Sequence, residues 1–157
     1  MKKDKFIEQI EKYKKQMYVV AYSILKNPTD AEDVVQEALL TSYERLHTLQ
    51  DEEKFKPWLM RILVNQAKMY ILKNSRIVYI GNEEEIDQVT PKNNYEEIWD
   101  VVLSLNSKLS LVVILYYSQG YSVKEISKIA GIPAGTVKSR LSKARELLRK
   151  ELVENNG

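Results

Sequence analysis

Apolar residues return at steps of three and four along most of this chain, and that period points to helices rather than strands. Phe6, Ile7, Ile10, Tyr13, Met17, Val20, Ala21 and Ile24 mark an amphipathic helix over 4–26. Asn27-Pro28 ends it, and Thr29 with Glu32 three residues on predicts a capping box for the next helix. Ala31, Val34, Val35, Ala38, Leu39 and Leu46 form the buried stripe of that helix, which runs to about residue 48. Asp51-Glu52-Glu53 is a polar break. Pro57 suits a first helical turn, where its missing N–H costs little. The third helix runs to about 74 and buries Trp58, Leu59, Ile62, Leu63, Met69 and Tyr70.

The period dissolves between 75 and 95, which holds a Gly, a Pro and an acidic triplet. Within it, Ile77–Ile80 fits either a short strand or an apolar spot that docks on a partner. Helices resume near Tyr95, LSLVVILYY at 109–117 is a core helix, and Gly120 is its stop. The fold class expected is all-α. Two small helical domains, 1–76 and 97–157, are joined by a flexible acidic linker, 77–96. Each half is near the size at which a lone core is marginal, so stability is expected to depend partly on a partner.

Composition narrows the function. The 157 residues include no Cys and one His, which removes thiolate metal sites, Cys nucleophiles and multi-His centres. No P-loop, Gly-rich dinucleotide turn or metal cluster is present, so neither an enzyme nor a metal or cofactor is expected. No apolar run approaches the roughly 20 residues of a membrane span, and the start has no apolar h-region. The expected location is cytoplasmic.

The net charge of +2 hides a pattern. Residues 61–76 carry four basic groups and no acid, and 120–150 carry eight basic against two acidic. Residues 28–60 and 77–119 are each net −5. Basic blocks separated by acidic ones predict two separate anionic contacts.

The sharpest local signal is Tyr121–Lys150. Ser122 caps a short helix with Glu125 at its third position, and Val123, Ile126, Ile129 and Ala130 form its apolar side. Gly131-Ile132-Pro133 is a tight turn that needs a positive φ at Gly131. The following helix buries Val137, Leu141, Ala144 and Leu148. Such a helix-turn-helix lays its second helix in the major groove with the early turns at base edges. Lys138, Ser139, Ser142 and Lys143 are placed to reach bases, and Arg140, Arg145 and Arg149 suit phosphate or structural roles.

Two further faces emerge on helical wheels. Asp33, Glu37, Leu40 and Glu44 lie opposite the Val34, Val35, Leu39 stripe, and an acidic face with an exposed Leu suits a protein partner. Arg61, Asn65 and Lys68 line up at steps of four and three in a segment with no acid from 54 to 82, which suits phosphates and unstacked bases.

These segments resemble a known family. EISKIAGIPAGTVKSRLSKARELLRKEL is similar to region 4 of bacterial sigma factors of the extracytoplasmic-function (ECF) group. NPTDAEDVVQEALLTSYERL and FKPWLMRILVNQAKMYILKNSR are similar to region 2 of the same group, in the same order. The resemblance implies a sigma factor that binds core RNA polymerase through the β′ clamp helices and the β flap. It would direct initiation at promoter DNA, recognising −35 with Lys138, Ser139, Arg140, Ser142, Lys143 and Arg145. It would melt −10 with Arg61, Asn65 and Lys68, with Phe55 and Trp58 bordering a base pocket. Asp33, Gln36, Glu37 and Leu40 would dock on the clamp helices, and a cognate anti-sigma factor is implied. The linker would thread through the polymerase cleft towards the RNA exit path, and from charge alone its Glu83, Glu84, Glu85 and Asp87 are expected to occupy a basic channel there. The loop LQDEEKF lacks the Arg-Gly pair of many members, and Leu105-Asn106 replaces their Leu-Pro, leaving Asn106 or Ser107 as cap. The competing reading is an autonomous helix-turn-helix regulator, which needs a dimer surface to read two half-sites.

Overall fold

The computed structural model of the chain describes residues 1–78 and 96–156. Helix α1 spans Lys3–Leu25, α2 Pro28–Glu44 and α3 Phe55–Val78. Two 3₁₀ turns, Leu46–Thr48 and Glu52–Lys54, lie between α2 and α3. Helix α4 spans Glu96–Ser104, α5 Ser107–Val113, α6 Val123–Ala130 and α7 Ala134–Asn156. The described residues contain no strand. None of their helices is long and apolar enough to cross a membrane.

Helix ends follow the local chemistry, with three departures from expectation. Helix α2 stops at Glu44, short of the expected 48, and the 3₁₀ turn Leu46–Thr48 follows. The cap of α2 is Asn27, whose Oδ1 accepts the Asp30 N–H at 3.0 Å, and not Thr29. Pro28 explains the shift: its ring holds the helical φ, so the helix begins there and Thr29 is already inside the first turn. Helix α3 runs through Val78 rather than stopping near 74. Asn74 turns its Nδ2 back to the Tyr70 carbonyl at 3.1 Å, a bond compatible with the helix it was expected to end. The backbone at Ile77 and Val78 is therefore helical, not extended. Tyr79, Ile80 and the acids Glu83, Glu84, Glu85 and Asp87 lie outside the described residues.

The second unit carries its expected caps. Asn106 Oδ1 accepts the Leu109 N–H at 3.1 Å, so Asn106 is the cap of α5 and Ser107 is released for another bond. After α5 the helix widens into one π turn over Ile114–Ser118, with the Gln119 N–H bonded to the Ile114 carbonyl at 3.0 Å. Gly120, at φ 75°, stops it. The Ser122–Glu125 capping box is complete, at 2.9 and 3.1 Å. Gly131, at φ 68°, makes the turn into α7, and Ser127 Oγ ties that turn by donating to the Ile132 carbonyl at 2.5 Å.

Helices α1, α2 and α3 pack on one another, and α7 packs on both α5 and α6. The two units also meet: α1 lies against α5 and the π turn, and α3 lies against α6. Their buried side chains form one continuous core, from Met17, Leu59 and Leu63 to Leu115, Ile126 and Leu141. Sharing a core answers the marginal size of each half, because the interface removes apolar surface from water that either unit alone would expose.

Candidate nucleic-acid interface

Helix α7 buries Val137, Leu141 and Ala144 against its own unit, and that burial turns the opposite side outward. Lys138, Ser139, Ser142 and Lys143 are exposed on its first turns. Arg145 is exposed but held: its Nε donates to the Tyr117 hydroxyl at 2.7 Å, and its guanidinium lies over the Tyr116 and Tyr117 rings. Arg140 is half-buried and faces the other unit, where its charge acts on Lys68.

Helix α3 buries Leu59, Met60, Leu63, Val64 and Ala67 and leaves Arg61, Asn65 and Lys68 exposed. The expected base-pocket aromatics separate. Phe55 is in the core, 2% exposed, edge-on to Phe6 with ring centroids 5.9 Å apart. It supports Trp58, 5.7 Å away, and has no edge at the surface that DNA would use. Trp58 is half-buried and borders a cleft of about 530 Å³ with Leu49, Gln50, Asp51 and Arg61. The loop in this cleft is shaped from within and from α1. Asp51 Oδ1 accepts the Glu53 N–H at 3.0 Å, and Glu52 pairs with Lys5 at 3.0 Å. The hydrogen bond that Lys5 donates to Glu52, and then the Lys5 charge, hold the Glu52 carboxyl below the usual carboxylate range. Met69, expected in the core, is exposed, and Leu72 beside it is more so.

The far wall of the cleft is α6, through Glu125, Lys128 and Ile129. The same helix end takes Lys68, whose ammonium donates to the Ala130 carbonyl. Burial and then the nearby Arg140 charge push the Lys68 amine below its ordinary value. Elsewhere in the junction Ser107 Oγ donates to the Ile24 carbonyl at 2.5 Å. Lys26, in a left-handed conformation, donates to the Leu103 carbonyl and to Ser110 Oγ, the latter at 2.6 Å. Lys56 lies over the Tyr121 ring. Gln16 Oε1, Gln119 Oε1 and the Tyr121 hydroxyl are buried with no hydrogen-bond partner among the described residues. Each such orphan costs about 1–3 kcal/mol.

On the opposite side of the first unit, α1 and α2 form an open groove of about 460 Å³. Its lining is Phe6, Ile7, Leu39, Leu40 and Tyr43, with Gln36 and Lys3 at the edge. Asp33 and Glu37 are exposed on the same helix. The wheel of α2 alone located Leu40. It could not show that Ile7 and Tyr43 complete the groove, because that needs the packing of α1 on α2.

Residues 9–77 match the family description Sigma-70 region 2, and residues 95–148 match Sigma-70, region 4. The ECF RNA polymerase sigma factor SigW of Bacillus subtilis (strain 168) is 32% identical, over 95% of this chain and 89% of its own. This chain is an ECF sigma factor. The ECF sigma-E factor of Escherichia coli (strain K12) is 31% identical over 76% of this chain and 72% of its own. Among solved structures, the sigma factor RpoE in complex with the anti-sigma factor NepR, from Bartonella quintana, aligns with a TM-score of 0.77. It is 25% identical, covering 94% of this chain and 96% of that one. CnrH in complex with the cytosolic domain of CnrY shares the fold, at a TM-score of 0.66 and 19% identity, over 99% and 92% of the two chains. As an ECF sigma factor the protein binds core RNA polymerase and directs initiation at promoters, a non-enzymatic role, and is not an autonomous regulator.

Proposed function

We propose that the two units divide promoter recognition between them, residues 1–76 acting on −10 and 97–157 on −35. Lys138, Ser139, Ser142 and Lys143 read base edges at −35, and Arg140 and Arg145 take phosphates. Arg61, Asn65 and Lys68 hold the melted −10 strand, and Trp58 borders the pocket for an unstacked base. Asp33, Gln36, Glu37 and Leu40 dock on the β′ clamp helices, and the second unit docks on the β flap. The protein works in the cytoplasm, where polymerase is. Its likeness to a sigma factor bound by an anti-sigma factor supports a cognate anti-sigma factor for this chain as well.

The observation that carries this reading is the pairing of Lys68 with the Ala130 carbonyl beside a cleft roofed by α6. With the units closed, one −10 cation is engaged and the base pocket is covered, so the free chain reads no promoter. Core polymerase must separate the units, and two weak DNA contacts at fixed spacing then act as one strong one.

Run-off transcription with core polymerase on a mixed genomic template, with RNA 5′ ends mapped, tests it. Discrete starts sharing an upstream bipartite motif are expected. A footprint from the chain alone, with no starts in the presence of native core, would refute the reading.

A further inference from the structure

Tyr116 and Tyr117 belong to the π turn that follows α5, and both rings lie against one side chain of α7. The Arg145 guanidinium stands 6.0 Å from the Tyr116 ring centre and 5.7 Å from that of Tyr117. The two rings meet edge-on, 4.9 Å apart at 79°, so they form a corner and not a sandwich. Arg145 Nε donates to the Tyr117 hydroxyl at 2.7 Å, across 28 positions of sequence. Neighbours on an α-helix do not face one another, yet these two neighbours of a widened turn share one cation. Such π turns are rare and frequent at functional sites.

Every group that holds Arg145 is uncharged. No carboxylate among the described residues pairs with it. An arginine that only tied the π turn to α7 would gain most from a carboxylate, which would also cancel its charge. Here the side chain is fixed and the charge is left whole. One N–H is used on Tyr117, and those of the terminal nitrogens carry no hydrogen bond among the described residues. Tyr117 is itself 51% exposed, so the corner opens to solvent. At about 100° per residue Lys138, Ser142 and Arg145 fall on one stripe of α7, Arg145 about 10 Å beyond Lys138 along the axis. A recognition helix enters the groove by its early turns, so the late end of that stripe meets the sugar-phosphate edge.

We propose that Tyr117 is a positioning residue for promoter recognition: it holds Arg145 so that the terminal nitrogens meet a backbone phosphate at the edge of the −35 groove. The inference rests on the reading of α7 as the −35 helix. An unrestrained arginine loses rotamer freedom when it grips a phosphate. The Tyr116 and Tyr117 rings take up part of that ordering before DNA arrives, and the hydroxyl sets the rotation of the guanidinium plane. A phosphate is the same in every sequence, so the gain is in affinity and not in base preference.

The test uses holoenzyme made with native core on a promoter found by run-off, with equilibrium binding measured at several salt concentrations. Tyr117→Ala, Tyr117→Phe and Arg145→Ala are compared with the parent, and Tyr117→Ala is also combined with Arg145→Ala. Arg145→Ala is expected to weaken binding and lower the salt slope by about one. Tyr117→Ala is expected to weaken binding about tenfold at every −35 sequence, because the arginine is left mobile. Tyr117→Phe keeps the ring and loses only the acceptor, so its loss should be about threefold. In the Arg145→Ala background Tyr117→Ala should cost nothing further, since a residue that acts through Arg145 then has nothing to act on. An equal loss in both backgrounds would mark a merely structural role and overturn the proposal. So would parent-like binding by Tyr117→Ala. Parent-like binding by Arg145→Ala would refute the −35 reading of Arg145 itself, a result distinct from both.

Discussion

Lys68, on the helix that carries the −10 candidates, donates its ammonium to the Ala130 carbonyl at the C-terminal end of α6. A cation at that end also meets the negative pole of the helix, so the contact is favourable in both respects. It joins the helix proposed to melt the promoter to the first helix of the helix-turn-helix. In the proposed reading, promoter engagement and this contact compete for one amine.

The closed state can be loosened without touching a proposed DNA contact. Lys26 reaches across the junction to Leu103 and Ser110. Lys26→Ala should weaken closure by about 1.5–3 kcal/mol, the worth of hydrogen bonds from a charged donor. A larger radius of gyration in small-angle scattering is expected. Measurable binding of the free variant to a forked −10 oligonucleotide should accompany it. Unchanged scattering would mean that the shared apolar core alone holds the units together.

Tyr121 is expected to report on the junction through stability. Its hydroxyl is buried without a partner among the described residues, so Tyr121→Phe should raise unfolding free energy by about 1–2 kcal/mol. Burial, and then the Glu125 charge, also push the Tyr121 phenol well above its ordinary value of 10. A raised folded pKa means that the folded state keeps a proton the unfolded state gives up. The stability is thus fully present below the unfolded value and falls as pH rises past about 10. Denaturant titrations between pH 8 and 11 should show this fall in the parent and a shallower one in Tyr121→Phe.

Core binding is predicted to depend on Leu40, which is 62% exposed and lies in the groove with Ile7 and Tyr43. Leu40→Glu should weaken binding to core at least tenfold, about 1.4 kcal/mol, and leave thermal stability of the free chain unchanged. Ile7→Glu should do the same if the groove, rather than α2 alone, is the contact.

On α7, exposed Lys138 and Ser142 lie one turn apart. Single substitution of a residue that reads a base should cost the holoenzyme about 1–3 kcal/mol and relax preference at one −35 position. Replacing Arg145, steadied by Tyr117, should instead weaken all sequences alike and lower the salt slope by about one. Binding to a set of −35 variants at several salt concentrations separates the two classes.

Helix content, the helix-turn-helix with its Ser122–Glu125 box and Gly131 turn, and the exposure of most residues on the three candidate faces were legible in the sequence. Period, caps and positive-φ glycines are local, and a local rule needs no knowledge of the partner helix. Met69, assigned to the core by its apolar character, is exposed. The Asn27 cap was misplaced to Thr29 for another local reason, the weight of Pro28 at the first helical position.

Only the tertiary structure decided what these faces meet. No periodicity tells that Phe55 packs on Phe6 while Trp58 reaches the cleft, since both are aromatics three residues apart on one helix. Nothing in the order of residues joins Lys68 to Ala130 or Ser107 to Ile24, pairs 62 and 83 positions apart. Such contacts arise because each half is too small to bury its apolar stripes alone, so the halves share a core and bring their polar edges together. The sequence by itself determined the helices and the chemistry on their faces; the shared core decided which of those faces are covered in the free protein.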